Sequence, residues 1–413
     1  MHRFIMIIFI LYMAMSIHAI DGNIDYPEKM NAPLRSILRR TDSEIAGMAE
    51  KGVSPAGVIK SENRIILNVF IKTRLSSQKL REKGIDITSN SGNLYTARIP
   101  LDKIDAVIGE KGIDRISLST KNHFMLDVST ANTGDQFSRL GCNAAAARDQ
   151  GINGTDIIIG IVDSGIDWDH GDFLKDPDSN NQSRVLYLWD QNLSPESGES
   201  NPDLPDFDYG VEYEQNDIND ELDGLTSGYV RSFDTAGHGT HVAGIAAGDG
   251  SASDGDPPPP TYIGVANNAD LIIVNSSLYT TDIVDGVDYI FQRADELGKS
   301  AVVNLSLGTF YGSHDGTSPY ESMLSHMTGP GKLIVVSAGN ANGKAVHAED
   351  IIPSGGTSST TFDVPASPSV DQIWIDAWVD GGDTYNVKVF SPTNETGVQI
   401  PGGVNTWKLS GEG

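Results

Sequence analysis

The sequence predicts an α/β domain three layers deep, in which a mostly parallel sheet is covered by helices on both faces. Three observations predict it. From about residue 135 the runs "DIIIGIVD", "ADLIIVN", "AVVNLSL" and "KLIVVSAGN" are almost continuously apolar, as strands buried on both faces must be. Helix-like segments alternate with them, at residues 238–247, "TDIVDGVDYIFQRADELG" and "PYESMLSHMTG", and that alternation implies the crossovers of a parallel sheet. Finally, 413 residues suffice for two or three domains, so this core needs only part of the chain.

The elements follow in order. The opening "MHRFIMIIFILYMAMSIHA" has an early Arg3, an apolar stretch of secretory length and Ala19 at a cleavage edge. It predicts a signal peptide over 1–19 and therefore export, with an uncleaved anchor helix as the alternative. Nothing after it reaches the ~20 apolar residues of a membrane span. Residues 20–60 are polar without a sustained period and read as a loose lead-in. "RIILNVFIKT", "NLYTARI" and "IDRISLS" then read as strands, "SSQKLREKGI" as a helix capped by Ser76 or Ser77, and "PLDKIDAVIGEKG" as a helix opening on proline. With the linker-like "TKNHFMLDVSTANTGD" they make a small α+β unit over 20–130. The α/β domain spans 131–354, interrupted by an acidic stretch at 190–232 that reads as an exposed insertion and by the proline-stiffened "DGDPPPP". Over 355–413, "TTFDVP", "QIWIDAWVD", "YNVKVFSP" and "TWKLS" read as antiparallel strands, the start of a β-rich unit.

Net charge is −27, which argues against a nucleic-acid partner, because phosphate binding requires a basic face. Residues 20–130 carry +3 and residues 131–413 carry −31, and opposite signs favour association of the two parts. The single cysteine, Cys142, leaves no internal disulfide and lies in an alanine-rich helical stretch, where it reads as a small buried thiol.

Reacting groups in such a sheet gather beyond the carboxyl ends of the strands. Asp163 in "IIIGIVDSGID" follows a buried strand at a Ser164-Gly165 turn. It reads either as a carboxylate facing a cleft or as a turn-forming aspartate. In "AGHGTHVAGIAAG", His238 opens a helix between Gly237 and Gly239, where small neighbours leave room for another chain. His238 and His241 could instead hold zinc, although the glutamate of the zinc-protease pattern is missing and Gly239 stands in its place. Asn340 in "LIVVSAGNANG" lies just past a buried strand, able to aim its amide at a developing oxyanion or to form a turn.

Asp163 in DSGID, His238 in HGTHVAG and Asn340 in SAGN, in that order, resemble the subtilisin-like serine proteases over roughly residues 135–350. The resemblance implies a three-layer subtilisin-like domain and a secreted serine endopeptidase acting on polypeptide substrates. Asp163 would orient the imidazole, His238 would act as general base and then acid, and Asn340 would stabilise the tetrahedral intermediate. Ser306, Leu307 and Gly308 in "NLSLG" would line the cleft beside the bound peptide. The α+β unit resembles the family's inhibitory propeptide, acting in cis. The β-rich end resembles the jelly-roll-like insertion that some members carry before the serine. No cofactor is required, and calcium enters only as a structural ion, for which Asp176, Asp178 and Asn180 in "DPDSNN" are candidates against a plain solvated loop.

One departure stands out. The family's Gly-Thr-Ser-Met-Ala-x-Pro motif is absent, and Gly356-Thr357-Ser358 is followed by Ser-Thr-Thr-Phe, which does not build the helix start that presents a nucleophile. The sequence therefore places the serine beyond Gly413 and expects these 413 residues to be inactive alone. The rivals are a secreted binding or scaffold protein that keeps the fold without catalysis, and a zinc hydrolase built on His238 and His241.

Overall fold

The computed structural model describes residues 4–12, 26–41, 44–46, 57–61, 64–124, 144–176, 180–252, 262–341, 344, 346–361, 372–379, 388–390 and 396–398. Its central sheet has strands β1 (Ile157–Asp163), β2 (Val185–Asp190), β3 (Val211–Glu214), β4 (Asp270–Asn275), β5 (Ser300–Leu305) and β6 (Lys332–Val336), in the order β3-β2-β4-β1-β5-β6. All neighbours are parallel except β3 against β2. The helices of this domain include α1 (Gln215–Leu222), α2 (His238–Ala247), α3 (Thr280–Glu296) and α4 (Pro319–Met327).

Side chains of a strand alternate between faces, and β1 shows what that does here. Ile159 and Ile161 belong to the core shared with Val242, Ala243 and Ala247 of α2. Ile158 and Val162 belong to the other core, with Ile283, Val287 and Ile290 of α3. Gly160 lets α3 settle onto the strand, because a Cβ there would lie 2.7 Å from Ile290. The predicted α/β, mostly parallel, three-layer architecture is the one observed. With β4 on one side of β1 and β5 on the other, the crevice past β1 is where such sheets place their ligands.

The stretch 190–232 is corrected by the structure. It supplies β3 and α1, and buries Phe207, Tyr213 and Ile218 completely or nearly so. Its acidic residues misled because several are bonded inward: Glu199 takes Arg231 Nε at 2.8 Å and Tyr213 OH at 2.7 Å, and the Arg231 hydrogen bond holds its carboxyl down at about 2. Glu212 likewise takes Arg293 Nε at 2.9 Å.

The N-terminal unit is a five-stranded antiparallel sheet of Val58–Ser61, Arg64–Thr73, Asp86–Ser91, Leu94–Pro100 and Ile113–Leu118. One face carries its own core, including Leu67, Val69, Ile71, Ala97 and Ile99. The lead-in is also corrected: Ala32–Leu38 is a helix capped by Asn31, and Leu34 and Ile37 are buried in that core. Only a few apolar residues separated by Arg35, Ser36 and Arg39 carry this contact, so no period was visible. Ser76 caps the helix Ser77–Glu82, accepting from Lys79 N. Ser76→Ala is expected to lower the stability of this unit by about 1 kcal/mol, read as a shift in its urea midpoint.

The other face of that sheet lies on α3. Asn68 Nδ2 donates to Asp282 at 3.0 Å, Thr96 Oγ1 to Asp285 at 2.8 Å and Ser89 Oγ to Asp288 at 2.6 Å. Three carboxylates at helical spacing thus meet the polar positions of three strands, while Phe70 and Leu94 join the apolar core beneath.

The apolar start forms strand Phe4–Tyr12, paired antiparallel with His347–Ile351 on one side and Gln372–Val379 on the other. Beyond residue 355, Gln372–Val379 and the antiparallel pair Lys388–Phe390 and Thr396–Val398 are the described strands. Among the described residues no helix is long and apolar enough to cross a membrane. Cys142, Asp178 and "TWKLS" lie outside the described residues.

Candidate active site

Asp163 ends β1 and is fully buried. The chain then turns through Gly165 at φ +106°, and Ser164 N donates to Asp163 Oδ1 at 2.8 Å. Across the crevice, α2 begins at His238 after Gly237, whose φ of +72° is in the left-handed region that glycine accepts without strain. His238 Nδ1 lies 2.6 Å from Asp163 Oδ1. An ionised carboxylate can only accept, so Nδ1 carries the proton in this contact, which selects the tautomer whose basic nitrogen is Nε2. The side chains are 9% and 0% exposed respectively, so water does little to screen the pair.

The approach is fixed by glycine. A Cβ on Gly239 would overlap the carbonyl oxygen of Gly165, so the second position of α2 must be glycine for the helix to reach the aspartate turn. This accounts for the small residues around the imidazole.

The other predicted residues fall on the same sheet edge. Ser306 follows β5, and its Oγ accepts from Asn304 Nδ2 at 2.9 Å. Leu307 is buried, and Leu307–Gly308 pairs antiparallel with His123–Phe124 from the N-terminal unit. Just before that pair, Asn122 N donates to Leu278 O at 2.8 Å, and Lys121 bridges to Tyr279. The stretch 121–124 therefore reaches two separate segments of the α/β domain by main-chain bonding. Asn340 is half-buried and follows β6, whose end is in register with that of β5. Asp163, Ser306 and Asn340 thus all lie at or past the carboxyl ends of parallel strands.

Two residues escaped sequence reasoning, Leu278 and Asp234, and a third, Ser164, reads there only as part of a turn. Leu278 adopts φ +68°, a backbone state no leucine advertises. Ser164 and Asp234 bond to one another at 2.7 Å beside the aspartate and the histidine; an aspartate four residues before a helix start was the available signal. Elsewhere, His241 is exposed on the first turn of α2. Among the described residues no group of three His, Cys, Asp or Glu side chains could hold a metal ion. Asp176 and Asn180 pair across a two-stranded ribbon. Ser358 is exposed and donates to Asp350 on His347–Ile351.

The sequence pattern of the Subtilase family matches residues 154–413. The chain belongs to that family. This subtilase is 28% identical to the subtilisin-like protease PopC of Myxococcus xanthus, over 48% of its own length and 36% of the relative's. It is 29% identical to the thermophilic serine proteinase of Bacillus sp. (strain AK1), over 48% and 47%. Among solved structures, the CspB protease of Clostridium perfringens is 29% identical, with a TM-score of 0.40 over 50% of this chain and 40% of that one. The chain thus spans less than half the length of these relatives.

Proposed function

We propose that this chain is the leading part of a secreted serine endopeptidase precursor. The single observation that carries the reading is the 2.6 Å contact of His238 Nδ1 with the buried Asp163. In it, Asp163 holds the ring in the tautomer that leaves Nε2 basic and stabilises the imidazolium when it forms. His238 then takes a proton from a serine hydroxyl and returns it to the leaving amine. Asn340 donates its amide to the oxyanion. Ser306, Leu307 and Gly308 hold the peptide main chain, the role in which His123–Phe124 engages two of them. The 20–130 unit is then an inhibitor in cis, its tail laid along the groove that substrates use. Secretion rests on the signal-like residues 1–19.

The nucleophile is assigned to a serine outside these 413 residues. The 413-residue chain alone is therefore expected to hydrolyse no peptide bonds in a fluorogenic peptide assay, and a chain extended by the downstream coding sequence is expected to do so. Hydrolysis by the 413-residue chain that a serine-directed inhibitor abolishes would overturn the assignment. An extended chain that binds peptides without cutting them would establish the scaffold reading instead.

A further inference from the structure

Helix α2 has an unusual start. Gly237 offers no capping side chain, yet the free N–H groups of a helix's first turn need partners. Asp234, outside the helix, supplies one: its Oδ2 accepts from Thr240 N at 2.8 Å and from Thr240 Oγ1 at 2.7 Å. Its Oδ1 accepts from Gly237 N at 2.9 Å, from Ala236 N at 3.2 Å and from Ser164 Oγ at 2.7 Å. Ser164 Oγ supplies the next partner, accepting from Gly239 N at 2.9 Å. That hydroxyl has one proton, and its 2.7 Å contact with Asp234 is shorter than the 3.3 Å one with Asp163 Oδ1. Thr240 Oγ1 closes the far side by accepting from Asp167 N at 2.9 Å.

Asp234 therefore touches the loop before His238, the first turn after it and the residue next to Asp163. We propose that Asp234 is a positioning residue that clamps the His238 helix to the Asp163 turn, setting the distance and angle of the Asp163–His238 pair. The inference rests on reading that pair as the catalytic couple. The carboxylate form is the one that fits, since all five contacts come from donors. Burial pushes the Asp234 carboxyl up, but hydrogen bonds from Thr240, Ser164 and Gly237 outweigh it and hold it below the ordinary aspartate value. The clamp is therefore charged throughout the neutral range. A carboxylate near the first turn also suits the positive end of the helix dipole.

The test uses the 413-residue chain labelled with ¹⁵N-histidine and needs no turnover. A proton held between His238 Nδ1 and Asp163 gives a low-field resonance, assigned by its loss in His238→Gln, whose exchange with water reports how tightly the pair is held. In Asp234→Ala and in Ser164→Ala that exchange is expected to quicken by about tenfold. The double variant is expected to be no faster than either single one, because both break the same clamp. Val287→Ala, on the buried face of α3, serves as the control for plain destabilisation and is expected to leave the exchange unchanged. Unchanged exchange in Asp234→Ala, additive effects in the double variant, or equal quickening in Val287→Ala would each overturn the proposal. No low-field resonance in the unaltered chain would instead remove the catalytic couple itself, and the clamp's purpose with it.

Discussion

Replacing His238 by alanine, in a chain carrying the downstream coding sequence, is expected to lower kcat by about 10²–10⁴-fold, the scale of a positioned general base. KM is expected to change little, because the main-chain groups of 307–308 that pair with an extended strand are untouched. Gly239→Ala provides a second route to the same loss. The new methyl cannot share space with Gly165 O, so α2 must back away from the aspartate turn and the 2.6 Å contact must lengthen. Steady-state kinetics on one peptide would compare the two. A Gly239→Ala enzyme with unchanged kcat would show that the close approach of helix and turn does not set the geometry.

The parts of this molecule legible in the sequence are those in which one local pattern decides. β1 and β4 are buried on both faces and β5 is buried or half-buried after Ser300, so their apolar runs stand out. β6 carries the same apolar signal but is corrected by the structure, because Leu333, Val335 and Val336 are exposed at the edge of the sheet. Helix α3 reads cleanly because its apolar positions recur at helical spacing against the sheet. β2 is as apolar, in "VLYLWD", but sits beside an acidic stretch whose composition suggested solvent. What hid the truth there was pairing: Glu199 with Arg231 and Glu212 with Arg293 are satisfied only in three dimensions. For the site, Asp163 and His238 were readable as a strand end and a helix start. Their convergence needs Gly165, Gly239 and the register of β1 beside β4, where Asp163 faces Asn275. The roles of Asp234 and Leu278 were not readable, the first because its link to the Asp163 turn runs through Ser164 on another loop, the second because its role is carried by its carbonyl.

The N-terminal unit is expected to hold the α/β domain roughly 100-fold more tightly at pH 5 than at pH 8, and the reason is Asp285. Docked, this carboxyl is fully buried between α3 and the N-terminal sheet, bonded to Thr96 Oγ1 at 2.8 Å and Tyr209 OH at 2.9 Å. Burial first, and the charge of Asp282 second, push it up to about 7, against the lowering effects of Thr96, Arg98 and Thr88. Undocked, that face of α3 opens to water and the carboxyl returns towards the ordinary aspartate value. A carboxyl whose pKa is higher in the docked state takes up a proton on docking. Docking is therefore strongest in acid, weakens as pH climbs from about 4 to about 7 and levels off above, which gives the roughly 100-fold span.

The neighbouring groups act in the same direction or are neutralised in place. Burial raises Asp288 on α3 and Asp86 on the facing sheet. Arg98 lies 3.7 Å from Asp282 and 3.3 Å from the centre of the Tyr209 ring, and burial drives the Tyr209 phenol upward, clear of this range. The measurement uses a chain cut at a protease site inserted within 125–143, with the concentration of half-dissociation followed from pH 5 to pH 8. Asp285→Asn keeps the shape and an acceptor for Thr96 but cannot ionise, so it is expected to flatten most of the dependence and to hold the halves together at pH 8. A steep dependence surviving in Asp285→Asn, or tighter docking in alkali, would show that this carboxyl does not control the contact.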